Sequence, residues 1–417
     1  MSKLTNRVLM LVENNPYPFD RRVRNEAESL LGDGYEVTVV CPADRGQPWS
    51  ENIGGVQVYR FPAPPTGKGI LGYFLEYGYG TLVMLAYSIV LLISKGIGII
   101  HAFNPPDTLF VLGTLAKLTG RRYVFDHRDP SPELFVSKFG SKGKLIYRLL
   151  VWLEKTCCRQ ADLVLVPNES CRDLVVARHG LPASRVVVLR NDPRLADFES
   201  SEVDRELRGK ASNIIAYAGH ISSQDGVDHL LHALSYLKQK LGRSDFHAVI
   251  IGPADNQREL LALTAELKLV SHVSFTGKLP FGSDLLRYLA TADICVEPAP
   301  SSPINNISTM VKIMEYMALG KPIVAYDLPE NRVSAADAAL FARPNDEADF
   351  AAKIACLMEN PSLRQRLGAI GRSRVQEHLN WEHSTNRLLA AYRSVDSRIV
   401  ARRTAGKDAE SALQKGE

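Results

Sequence analysis

NNISTMVKIMEYMALGKPIVAYD, residues 305–327, reads as a helix that stops at a glycine and turns directly into a strand. Met310, Ile313, Met314 and Met317 fall at i, i+3, i+4 and i+7 and make one apolar stripe. With about 100° of turn per residue, Ser308, Lys312 and Glu315 gather on the opposite face. The spacing predicts a helix over 306–319, capped by Asn305 or Asn306 and ended by Leu319-Gly320-Lys321-Pro322. Such a start aims free N–H groups at an anion, and Lys312 adds a point charge one turn in. Glu315 stands where a carboxylate can take two ribose hydroxyls. A solvated Lys312–Glu315 ion pair is the plainer reading of the same spacing.

Working outward, strands and helices alternate on both sides. Upstream lie strands over 213–218, 246–251, 273–276 and 294–296, separated by helices over 226–240, 257–269 and 284–290. The first half repeats the rhythm, with strands over 7–12, 35–41, 56–61, 98–102, 122–125, 162–166 and 185–189. Helices over 20–31, 108–118, 144–158 and 169–179 fall between them. Strands this continuous in Val, Ile and Leu suit parallel sheets covered on both faces. A polar, acidic segment, 191–210, breaks the pattern and reads as a linker. The fold class expected is α/β, with two Rossmann-like domains over 1–190 and 211–380 facing each other across a cleft. A C-terminal helix and charged tail, 381–417, are expected to pack back toward the first domain.

Length and composition agree, since 417 residues suit two domains of about 200. A net charge of only +4 gives no reason to expect nucleic acid. Six cysteines without C-x-x-C spacing fit a reducing, cytoplasmic setting. The turn after the first strand, VENNPYPFD (12–20), has no glycine, which excludes a dinucleotide fingerprint. There is no P-loop, no G-x-S-x-G elbow and no D-x-D pair to hold a cation. Metal ligands and cofactors are therefore expected to be none. Any leaving diphosphate must be met by the protein's own dipoles and cations.

Residues 315–325, EYMALGKPIVA, resemble the donor-site helix of the retaining GT-B glycosyltransferases of family 4, the group 1 enzymes. RVRNEAESL (22–30), GYEVTVV (34–40), IIHA (99–102), DHRDPSPE (126–133), YAGH (217–220) and FTGK (275–278) are similar to further family segments. The resemblance implies an acceptor-binding first domain, a nucleotide-sugar-binding second domain, and UDP or GDP sugar as co-substrate. It implies transfer with retention and no covalent intermediate, a departing phosphate oxygen taking the acceptor's proton. Glu315 matches the family's ribose-binding glutamate, while Ile307 stands where a second glutamate usually meets the sugar; Asn305, Asn306 or Glu297 can substitute. His220 and Asp225 replace the family's arginine and lysine at the diphosphate, which leaves Lys312 and the helix start, with Ser308, Thr309 and Gly219, to hold it. His127 and Arg128 compete for the position of the family's cleft histidine. Asp126 or Asp129 can orient the acceptor or that histidine, and Arg21, His101 and Glu133 join Arg128 on the acceptor side.

Two apolar stretches bear on location. From Ile70 to Ile93 the only formal charge is Glu76, and such a helix runs about 36 Å, long enough to cross a bilayer. Glycines and tyrosines within it favour a helix packed between two strands. Residues 134–155, LFVSKFGSKGKLIYRLLVWLEK, mix aromatics with lysine and arginine. That composition suits an anionic membrane surface and a lipid-linked acceptor at the inner face of the cell membrane, or an ordinary surface helix. Two rivals keep the fold and change the role: a sugar-nucleotide 2-epimerase, and a non-catalytic binding protein.

Overall fold

The computed structural model describes residues 6–64, 69–140, 143–198, 202–279 and 282–395. Lys142 of the basic-aromatic stretch and the charged tail lie outside them. The chain divides into two compact units, residues 1–190 with 384–417, and residues 191–383.

Unit 1 is built on an eight-stranded sheet: β1 Arg7–Leu11, β2 Glu36–Pro42, β3 Ser50–Ile53, β4 Val56–Phe61, β5 Ile99–Phe103, β6 Arg122–Asp126, β7 Leu163–Val166 and β8 Val186–Val188. Their order is β3-β4-β2-β1-β5-β6-β7-β8, parallel throughout except for the β3–β4 hairpin. The central strands are buried on both faces, as their unbroken apolar runs require. Helices start on polar caps. Asp20 accepts from Val23 N at 3.1 Å to open helix Arg21–Gly32, and Asn168 accepts from Cys171 N at 2.7 Å to open helix Glu169–His179. Helix Gly69–Lys95 buries Met84, Ser88, Leu91 and Leu92 against the sheet. Its other side exposes Phe74, Leu75, Leu82, Ile89, Val90 and Ile93. By length and composition the segment Gly72–Lys95 could span a membrane, yet a third of its most apolar window is buried in this unit. A helix over 381–395 completes unit 1 from residue 384 onward. Its Tyr392 hydroxyl lies 2.6 Å from His101 Nδ1, and Ser384 Oγ donates to Arg190 O at 3.2 Å.

Unit 2 holds a six-stranded parallel sheet: β9 Asn213–Ala218, β10 Phe246–Ile251, β11 Val273–Gly277, β12 Ile294–Glu297, β13 Ile323–Tyr326 and β14 Ala339–Ala342, ordered β11-β10-β9-β12-β13-β14. Two sheets of mainly parallel strands, each layered with helices, define a two-domain Rossmann-like architecture.

Three sequence expectations are corrected. The segment expected as a linker belongs to unit 2: Phe198 and Leu207 sit in its core, and Asp204 caps a short helix over Arg205–Arg208. The unit ends at His383 rather than 380. The helix expected from 306 begins at Val311 and runs to Ala318, after a separate 3-10 turn over Asn305–Ile307. Met310 precedes it and its thioether gives no side-chain cap, while Asn305 and Asn306 lie in the separate turn before it.

Candidate functional site

In unit 2 the strand order reverses between β9 and β12, with β10 and β11 leaving on one side and β13 and β14 on the other. A doubly wound sheet opens its ligand crevice at such a switch point, outside the carboxyl ends of the strands. Gly219 and His220 follow β9 there, Glu297 ends β12, and Lys312 enters from the second residue of helix Val311–Ala318. Lys312 Nζ lies 3.0 Å from Glu297 Oε2, 3.1 Å from the Tyr217 hydroxyl and 3.7 Å from Asp225 Oδ1, and 4.5 Å from the Tyr217 ring centre. Burial works against its charge, but Glu297 leads the groups that overcome it and hold the ammonium protonated. Glu297 is fully buried, and burial outweighs Lys312 to raise its carboxyl above the usual range. One cation thus faces two carboxylates, and burial raises that of Glu297.

The loops around this cluster are clamped. Gly226 has φ 70°, and a Cβ there would lie 2.1 Å from Pro298 O. Asn305 Nδ2 donates to Gln224 O at 2.9 Å and Pro300 O at 2.8 Å, tying the loop after β9 to the loop after β12. Asp225 accepts from Ser222 N at 2.9 Å and from its hydroxyl at 2.6 Å. Asn306 accepts from Ser301, and Ser308 donates to Ile304 O. Thr309 is half-buried, and Glu315 is buried with only 6% of its surface exposed. His220 is largely exposed and sits 3.1 Å from Asp255. Tyr217 is the member of this cluster that sequence spacing did not single out.

Unit 1 has its own switch point between β1 and β5. Glu13 follows β1 there, buried, with neither carboxyl oxygen hydrogen-bonded among the described residues. Burial, aided by Glu76, pushes its pKa up to about 8. Asn104, after β5, organises the neighbouring loops: its amide nitrogen donates to Asp107 Oδ1 at 3.0 Å and Asp129 O at 2.7 Å, and its oxygen accepts from the Arg128 and Asp129 backbone. Asp107 is buried and raised to about 6 by burial.

The structure separates the residues expected at this end. His127 is buried, its Nε2 2.8 Å from Glu154, while Nδ1 has no partner among the described residues. Burial opposes its charge, but the Glu154 bond prevails and raises it. Glu154 also meets His179 at 2.8 Å and Arg178 at 3.0 Å, and Arg178 pairs in turn with Glu133, so Glu133 is turned into this network. Asp126 is held by Arg22 through bonds of 2.7 and 2.9 Å; burial is outweighed and its carboxyl stays below the usual range. His101 is fully buried, stacked on Phe103 and depressed to about 3 by burial, so it stays neutral inside the unit. These placements take Asp126, His101 and Glu133 away from an open surface. Glu26, His101 and Asp126 have metal-ligand spacing, and Arg22 lies among them, 3.1 Å from Glu26. Arg128 reaches Asp20 at 2.8 Å, Asp129 is exposed, and Arg21 is half-buried.

Two doubly wound units with polar clusters at the strand ends define a protein of the GT-B glycosyltransferase class. The chain belongs to the group 1 glycosyltransferases: the profile described as "Glycosyl transferases group 1" matches residues 212–360, and the "Glycosyl transferase 4-like domain" matches residues 20–192. A similar curated relative is the MMP alpha-(1->4)-mannosyltransferase of Mycolicibacterium hassiacum, 28% identical over 60% of this chain and 58% of that one. The next relatives are matched over 65% and 56% of their length, so the chain spans less than two thirds of them. Among solved structures, sucrose-phosphate synthase from Thermosynechococcus elongatus aligns with TM-score 0.74 at 19% identity, covering 94% of this chain and 99% of that one. HepE from Anabaena in complex with UDP-glucose aligns with TM-score 0.69 at 19% identity, covering 93% and 99%.

Proposed function

We propose that the protein is a retaining, metal-independent glycosyltransferase that moves a sugar from a UDP or GDP donor to a glycan or lipid-linked acceptor, in cell-surface polysaccharide assembly. One observation carries this reading: a single protonated ammonium, Lys312, stands at the crevice of unit 2 beside a carboxyl that burial keeps ready to accept a proton. A diphosphate approaching over Gly219, which has no side chain to bar it, draws Lys312 from Glu297. Glu297, its carboxyl raised by burial, then takes up a proton from solvent water. Lys312 and the first turn of helix Val311–Ala318 stabilise charge on the leaving diphosphate. In unit 1, Glu154 fixes the ring of the buried His127. The likeness to HepE, solved with UDP-glucose, supports a uridine donor.

The test is calorimetric titration with UDP and with GDP, with and without EDTA, followed by NMR of the product's anomeric proton. Binding that vanishes in EDTA ends the metal-free reading, and an inverted anomer ends retention. Product formed without any acceptor points to the epimerase. The same reading places the protein in the cytoplasm, in peripheral contact with an anionic membrane. Co-sedimentation with anionic vesicles at low salt checks that location, and no sedimentation removes it.

A further inference from the structure

Helices Gly69–Lys95, Ser131–Phe139 and Lys144–Gln160 of unit 1 enclose a cavity of about 240 Å³. Its walls are chiefly carbon, with Tyr73, Phe74, Phe135, Phe139, Ile146 and Leu150 among them. Asp107, Thr108 and Ser131 line it where β5 and β6 finish. Lys138 lies about 10 Å further along the middle helix, by helical rise from Ser131. Its ammonium is 3.2 Å from the Tyr73 hydroxyl and 5.4 Å from that ring's centre. Lys138 is exposed, and its charge acts on Glu76 of helix Gly69–Lys95, opposing the rise that burial gives that carboxyl.

A sugar is a poor occupant for such walls, since its hydroxyls would lose water and find few partners. A hydrocarbon chain loses nothing there, and the exposed ammonium of Lys138, with Glu76 as its longer-range neighbour, offers a cation at the side of the cavity. The approach is apolar as well. Phe74 and Leu75 on helix Gly69–Lys95, with Leu145, Leu149 and Trp152 on helix Lys144–Gln160, are exposed on the two helices that wall it, and Lys144 and Arg148 are exposed among them.

We propose that this cavity takes the aliphatic chain of a lipid-phosphate-linked acceptor, with its phosphate on Lys138. The proposal rests on the acceptor reading given above and names where that acceptor's lipid sits. Gly78 supplies a clean probe: it lines the cavity, and a Cβ built there meets nothing within 4 Å. A leucine at this helical position fills the space and favours the helix over glycine.

Farnesyl phosphate below its micelle concentration, titrated into the whole protein by calorimetry, should bind saturably one to one. Gly78→Leu should weaken it at least tenfold, and Ile146→Glu serves as a second blocking variant if the first folds poorly. Lys138→Met should cost about tenfold, the scale of one charge-assisted hydrogen bond. Farnesol should be indifferent to Lys138→Met, and inorganic phosphate alone should not bind. UDP affinity should be unchanged in every variant, so lost UDP binding in the wild type would sink the donor reading without touching this one. The proposal is overturned if the wild type shows no saturable binding, or if both blocking variants bind farnesyl phosphate as the wild type does. It is equally overturned if phosphatidylglycerol displaces farnesyl phosphate stoichiometrically, which would assign the cavity to bulk membrane lipid.

Discussion

Lys312 carries the donor proposal and is also the counter-ion of a fully buried carboxylate. Lys312→Ala should therefore do two things at once. It should lower UDP affinity by more than tenfold, and it should destabilise unit 2 by about 3–5 kcal/mol by stranding Glu297. Adding Glu297→Gln should restore the melting temperature without restoring UDP binding; recovery of both would place the phosphate elsewhere. If Glu297 takes up a proton as UDP binds, the calorimetric enthalpy at neutral pH should vary with the buffer's ionisation heat, and Glu297→Gln should abolish that variation. Glu13 gives a separate test in unit 1. Its carboxyl ionises near 4.5 when unfolded and near 8 when folded. Between those values the folded chain holds the extra proton, so stability falls as pH rises, by up to about 1.4 kcal/mol per pH unit. Glu13→Gln should flatten that slope in denaturant titrations from pH 5 to 8. Little of this was legible beforehand. Lys312 and Glu297 were singled out, but their pairing joins a strand end to a helix start, and Glu154 meets His127 across 27 positions. Periodicity marks faces of elements, not which charges meet when the elements pack.

At the scale of elements the alternation of strand and helix was well marked, because parallel strands buried on both faces leave unbroken apolar runs. What escaped were short pieces: the polar hairpin strand Ser50–Ile53, helix Pro329–Ala335, and the four-residue apolar strand Ala339–Ala342, too short to stand out from the alanine-rich stretch before it. The onset of the donor-side helix was misplaced because Asn305–Ile307 form their own 3-10 turn, held to the neighbouring loops by Asn305 Nδ2, and the α-helix starts only at Val311. The loop between β9 and its helix depends on Gly226. Gly226→Ala meets both the left-handed φ and the Pro298 carbonyl 2.1 Å away. It should lower the melting temperature of unit 2 and weaken UDP binding at least tenfold, while leaving far-UV circular dichroism near that of the wild type.

Across the whole molecule, each unit has its own buried core. A ligand that binds only unit 2 should stabilise that unit, by about 2.7 kcal/mol at one hundred times its dissociation constant. In scanning calorimetry UDP should raise the transition of unit 2. A shift confined to unit 1 would contradict the assignment.

Residues 384–395 return to unit 1 after all of unit 2 has been laid down. During translation, therefore, a nascent chain carrying all eight strands of the first sheet still lacks Tyr392, the partner of His101. Unit 2 can close as soon as residue 383 leaves the ribosome, so the unit begun first is finished last. Chaperone contacts and protease nicking of unfinished chains should concentrate in residues 1–190, reversing the usual order in which N-terminal domains mature ahead of those that follow.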